Sequence, residues 1–323
     1  AWFISENSKI SLDTGRIYTT NTAVGLTAQS VNGKTFSDGT VVNINKNKTG
    51  AENRGTIIMT SASAVGMYTK YGTSLNNSTG LINIIGTDGI GMYSEEEADI
   101  KNSGKITLNN TGTIGLFGKG NSGTLLGTST DTVNIVNNGI IELNNANSVG
   151  IYINNNKNGA VVTDAIISNN ATGTTSSFGS TEKNTINVKG DNSIGIYAPF
   201  SIVLQNGNID LVGTGTVAIY GSNGSNISGG GNIDLNTASQ SQVAYYLKDS
   251  GTKLTNSLGD ITGHGVVVFL EDAEIDDTIP TLDLTTSSDL GNGKIVLALK
   301  GASIFNYTKD IKTGDSVSNH YAV

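Results

Sequence analysis

The side chains able to carry proton or nucleophile chemistry are few in this sequence, and their spacing keeps them apart. His264 and His320 are the only imidazoles, and none of the 323 residues is cysteine. That removes thiol nucleophiles, thiolate metal sites and disulfides. A serine nucleophile could be read from Gly314-Asp315-Ser316, but Val317 stands where a Gly-Asp-Ser-Gly motif has its second glycine. The match is too short to define a triad. Acidic residues are densest at Glu95-Glu96-Glu97 and at Glu271, Asp272, Glu274, Asp276 and Asp277. Calcium or acid–base chemistry needs carboxylates that converge, whereas consecutive residues of a strand point to opposite faces. Both groups are expected to be solvated acidic loops. Gly229-Gly230-Gly231-Asn232-Ile233-Asp234-Leu235 approaches a nonapeptide calcium repeat, but no tandem copy follows and such a site needs stacked copies. No catalytic residue, metal ligand or cofactor is assigned.

The composition describes the body that must position any functional group. There are 42 Gly and 2 Pro, with 36% hydrophobic, 6% aromatic and 14% charged residues and a net charge of -8. Apolar residues are thin for a single large core and evenly spread, which favours an elongated repeating body. The mild acidity opposes nucleic acid as a partner, because that affinity comes from Lys and Arg replacing counterions. No apolar run reaches the length of a membrane span, and Ala1–Ser11 lacks the basic start and apolar core of an export signal. Cysteine avoidance is in keeping with export, and any export signal is expected to have been removed or to lie outside this sequence.

A repeat organises the chain. Val65-Gly66-Met67-Tyr68 recurs as Ile90-Gly91-Met92-Tyr93, Ile114-Gly115-Leu116-Phe117, Val149-Gly150-Ile151-Tyr152 and Ile194-Gly195-Ile196-Tyr197. Looser copies begin at Val217, Val243 and Val266, and successive intervals are 25, 24, 35, 45, 23, 26 and 23 residues. Before most copies stands a Gly followed by alternating apolar residues, as in Gly104-Lys105-Ile106-Thr107-Leu108. A third short segment, often ending in Asn, precedes that Gly, as in Asp99-Ile100-Lys101-Asn102. Period-two alternation marks strands with one buried face, and Asn and Gly suit the tight turns between them. Three strands in about 24 residues cannot bury their own apolar face, so turns must stack. Parallel stacking with right-handed crossovers predicts an all-β fold, a right-handed parallel β-helix of about eleven turns and roughly 50 Å. One such segment is expected to span residues 1–323. Stacked Asn side chains should form ladders, and the tyrosine column should flank or line the core.

The longer intervals imply insertions near residues 27–53, 118–131 and 153–184. Insertions of a repeat protein project from one face and often make its contacts. Within the longest, Lys157, Asp164, Phe178 and Lys183 are the candidate receptor contacts.

The Asn-x-Gly-x-Ile-x-Leu block followed by Val/Ile-Gly-Ile/Met-Tyr resembles the passenger region of the large type V autotransporter adhesins of fusobacteria, the RadD-like family, from about Gly55 to Phe269. The resemblance implies an exported rod at the cell surface, carried on a C-terminal outer-membrane barrel that this chain lacks. It also implies attachment to other bacteria or host cells through a surface protein or glycan. The chain then reads as a monomeric passenger fragment without catalysis. The alternatives are a polysaccharide-degrading β-helix enzyme and a purely structural stalk.

Overall fold

A strand of four residues with alternating apolar side chains has one face to bury, and a single turn offers nothing to bury it against. Stacking supplies the missing partner. The computed structural model describes residues 9–13, 15–19, 24–29, 50–70, 72–95, 98–120, 133–154, 165–179, 181–235, 241–255, 258–276, 282–283, 294–306 and 311–312. Among these, strands build three long sheets. The first has eleven strands, from Lys9–Leu12 to Ile304–Asn306, and the second nine, from Arg16–Thr19 to Ile261–Thr262. The third has ten, from Val24–Gln29 to Lys294–Lys300. One turn visits the sheets in order, as Asp99–Asn102, Lys105–Leu108 and Ile114–Lys119 do. Each strand then pairs in parallel with its equivalent one turn away, Ile106 with Ile82 and Ile141. The chain is a parallel β-helix with three strands per turn, and no described residue is helical.

The columns that the repeat predicts run inside the coil. Ile57, Ile82, Ile106, Ile141 and Ile186 line the second sheet and are wholly buried, while Thr107, between Ile106 and the equally buried Leu108, faces outward. Met67, Met92, Leu116, Ile151 and Ile196 do the same on the third. The third sheet departs from strict alternation: in Val65–Lys70, both Gly66 and Met67 face inward. A side chain cannot fit at the glycine. A Cβ on Gly91 would stand 2.6 Å from the Gly115 carbonyl oxygen of the next turn, inside any normal contact. The same logic fixes Gly104 at the start of the second-sheet strand, where a Cβ would meet the Gly80 oxygen at 2.3 Å.

Between the first and second sheets the interior is polar. Asn53 Nδ2 donates to Asn76 Oδ1 at 2.9 Å, Asn76 to Asn102 at 2.9 Å, and Asn102 to Asn137 at 2.8 Å. Asn137 continues to Asn169 at 2.9 Å, and Asn169 to Gln205 at 3.0 Å. All six amides are fully buried. Each amide inside the ladder gives and accepts at the strand spacing, so burial leaves it satisfied.

The expected insertion at 153–184 is divided by a strand of the coil. Ile166–Asn169 pairs with Ile135–Asn137 on one side and Ile202–Gln205 on the other. Only Ile167 and Asn169 of that strand face inward, so its apolar signal is a single residue. That leaves 155–164, outside the described residues, and a hairpin within 170–184. Of the other two stretches, Thr27–Gln29, Gly50–Asn53, Gly118 and Lys119 belong to strands. Residues 30–49 and 121–131 are outside the described residues.

Ile106→Asp should destabilise the rod by about 3–5 kcal/mol, because it buries an unpaired charge, whereas Thr107→Asp should cost less than about 1 kcal/mol. Thermal melts followed by circular dichroism would separate them, and equal tolerance would invert the assignment of faces. Asn137→Ala orphans Asn102 as donor and Asn169 as acceptor. It should cost about 2–4 kcal/mol, against under about 1 for the neighbouring turn residue Asn138→Ala.

Candidate receptor-binding surface

The connection from the first to the second sheet takes two residues in one turn, Asn138 and Gly139 between Ile135–Asn137 and Ile140–Leu143. After Ile166–Asn169 the same connection holds a hairpin. The Gly173 N–H donates to the Asn184 oxygen at 2.6 Å, Asn184 returns to Thr174 at 2.9 Å, and the Ser176 N–H reaches Glu182 at 2.8 Å. Thr175 pairs with Lys183 as an antiparallel bridge. Gly173 adopts φ +69°, and a Cβ there would meet Asn208 Nδ2 of the following turn at 2.5 Å. The hairpin therefore lies against the outer face of the second sheet.

Charge holds it there. Lys105 Nζ lies 2.7 Å from Glu182 Oε1 and 3.3 Å from Glu142 Oε2, and Lys189 Nζ lies 3.3 Å from Glu142 Oε1. Burial opposes the charge on Lys105, but Glu182 and Glu142 outweigh it and raise its affinity for the proton. Between hairpin and sheet runs a cleft of about 220 Å³, lined in part by Glu142, Glu182, Lys183, Asn187, Lys189 and Asp210. Its floor is the outward row Glu142, Asn187 and Asp210, one residue per turn, a row that Asp234 continues beyond the cleft. Burial, then the adjacent Asp234, pushes the Asp210 carboxyl up, with Lys183 pulling the other way. This surface is polar and shaped for recognition by hydrogen bonds and paired charges.

The sequence-named residues divide. Lys183 is exposed and stands at the cleft. Phe178 is half-buried near the hairpin tip, its N–H donating to Ser176 Oγ at 3.2 Å. Lys157 and Asp164 lie outside the described residues, as do His320 and the Gly314-Asp315-Ser316 segment. Sequence reasoning missed Lys105, Glu142 and Asp210. They sit 37 and 68 residues apart along the chain and meet only because the coil brings successive turns into register.

Glu95 and Glu271 correct the expectation of solvated acidic loops. Each ends a strand of the third sheet, fixed to the aromatic column. Tyr68 and Tyr93 donate to Glu95 at 2.6 and 2.8 Å, and Tyr246 donates to Glu271. Burial disfavours the charge on Glu95, but those hydroxyls and Lys70 prevail and hold its carboxyl below the ordinary range. Glu271 is likewise depressed, by Tyr246 first and then Lys300. Alternation places these side chains outward, beside the rings. Among the described residues no cluster of three His, Asp or Glu side chains could hold a metal ion.

Fold and surface define a class, a parallel β-helix with a hairpin clasped over one outer face. No family model, curated protein or solved structure matches this chain.

Asp210→Asn should raise the melting temperature near neutral pH. The native state binds that proton more tightly than the unfolded chain, so the stability it contributes at low pH is lost as pH rises through its elevated pKa. Melts across pH should show the Asn advantage shrinking to nothing by about pH 3, below the ordinary Asp value. A constant difference would mean that Asp210 acts by packing alone.

Proposed function

We propose that this chain is a surface-exposed segment of an autotransporter adhesin, attaching to other bacteria or host cells through the hairpin and the rod faces, without catalysis. The observation that carries this reading is the hairpin at 170–184. The strands on either side already complete the ladders of the rod, and among the described residues of the hairpin only Ala171 is buried, yet a half-buried ion pair from Lys105 to Glu182 orders it. Ordering polar chain costs conformational entropy, so a held, exposed hairpin favours a recognition role over a bare stalk. Two of the three cleft carboxylates also favour binding over hydrolysis. Glu142 and Glu182 are bound to lysines rather than left as a poised acid and base. The repeat block that resembles the RadD-like passengers adds the placement, an exported monomeric rod anchored at the outer membrane, and the partner class, a cell-surface protein or glycan.

The test is binding of the labelled chain to a panel of bacterial and host cells, alongside a variant in which 170–184 is replaced by Asn-Gly, as at Asn138-Gly139. Saturable binding lost in the variant, with an unchanged circular dichroism spectrum, is the expected result. Attachment that survives the replacement would remove the hairpin from the contact. No attachment of the intact chain to any cell would favour the stalk, and sustained cleavage of acidic glycans would favour the enzyme.

A further inference from the structure

The outer face of the third sheet carries a feature that the rod does not need. Eight aromatic rings, one per turn from Tyr68 to Phe269, form a half-buried column with centroids 4.7 to 5.3 Å apart. Beside it, at the strand ends, runs a second column, Lys70, Glu95, Lys119, Asn154, Pro199, Ser222, Lys248, Glu271 and Lys300, of which Pro199 and Ser222 are buried. Both ends of this second column alternate in charge, and its three middle positions are uncharged.

The same middle turns differ in two further respects. The hydroxyls of Tyr68, Tyr93 and Tyr246 are spent on Glu95 and Glu271. Those of Tyr152, Tyr197 and Tyr220 have no hydrogen-bond partner among the described residues. Burial raises the pKa of Tyr152, and burial, then Tyr197, Glu271 and Asp249, pushes Tyr220 up to about 12, so both remain donors across ordinary pH. The stack also breaks here. Tyr152 and Tyr197 lie within 24° of parallel and Tyr220 and Tyr246 within 12°, but Tyr197 and Tyr220 meet edge to face at 79°.

A third irregularity sits at the same place. Phe200, half-buried in the turn after Pro199, has φ +52°, where the equivalent turns of the next levels use Asn223, Asp249 and Asp272. A bulky residue in the left-handed region is strained, and such strain persists where function holds it.

We infer that the Tyr152, Tyr197 and Tyr220 face, edged by Phe200, binds a neutral linear glycan lying along the rod. An aromatic surface with free hydroxyl donors and no net charge suits a sugar chain, which offers both C–H faces and oxygen acceptors. Repeat length decides against a peptide. An extended polypeptide advances about 3.3 Å per residue and cannot place one unit on each turn, whereas an extended pyranose chain advances by about one ring, close to the strand spacing. The absence of lysine from the middle positions of the second column argues against a polyanion. Several weak, equally spaced contacts then add along one ligand. This face lies on a different sheet from the hairpin, and the inference does not depend on cell attachment.

Calorimetric titration of the intact chain with maltohexaose, cellohexaose, mannohexaose and chitohexaose tests it, with hexagalacturonate as the acidic comparison. Saturable binding of at least one neutral hexasaccharide is expected. It should weaken at least about tenfold in the triple variant Tyr152→Phe, Tyr197→Phe, Tyr220→Phe, which keeps the rings as Phe117 and Phe269 do. Tyr93→Phe with Tyr246→Phe should leave it unchanged. Phe200→Asn should raise the melting temperature and weaken binding together. The inference is overturned if none of the four neutral probes binds, if hexagalacturonate binds better, if the control pair weakens binding equally, or if the triple variant binds as the parent does. Concentration-dependent dimerisation abolished by the triple variant would also overturn it, by giving the face to a second copy.

Discussion

Everything in this molecule depends on one constraint: no turn can complete its own hydrogen bonds or bury its own apolar side chains. Both needs are met by the turn above and the turn below, and only in a single register. A slip of one residue would bring the inward row of a strand to the outside, exposing Ile106 and Leu108 and burying Lys105 and Thr107. Identity of type from turn to turn follows from this. Isoleucine stacks on isoleucine and asparagine on asparagine, because each column is one environment repeated at the strand spacing.

The register is enforced by two elements that tolerate little variation. The buried amide ladder from Asn53 to Gln205 works only if each member is at the same height relative to its neighbour. The glycine columns are tight where they occur, since the carbonyl of the adjacent turn occupies the place of the Cβ at Gly91 and Gly104, and only the later turns admit Ala218, Ala244 and Val267 at the same inward position. Such an interior leaves little freedom for functional variation. Variation is confined to outward positions and to the connections between sheets, and the two faces described above differ accordingly.

On the second sheet charged side chains stand among the outward ones beneath a hairpin, with Lys105 joining the strand of the next turn to the added chain. On the third they are aromatic, and acids are present only where a tyrosine hydroxyl or a lysine meets them. A rod with so few charges spends most of those described here on specific partners. Uncharged and unpartnered groups, such as the middle tyrosine hydroxyls, therefore stand out against the pattern.

The sequence alone determined the class of fold, because the physics that selects it is local and repeated. Period-two alternation, a glycine before most second-sheet strands and an asparagine at the end of many first-sheet strands leave only a stacked coil to bury the apolar faces. It also indicated where extra chain lies, although the strand Ile166–Asn169 was hidden by having one inward apolar residue. Tertiary structure decided the rest. The outward direction of the tyrosines depends on two successive inward positions at each Gly-x pair, which a pattern of types does not reveal. The meeting of Lys105, Glu142 and Glu182 depends on which turns an insertion overlies, and residues 77 positions apart carry no mark of it in the chain. Local pattern fixes what repeats, whereas contacts between non-equivalent residues exist only once the coil has closed.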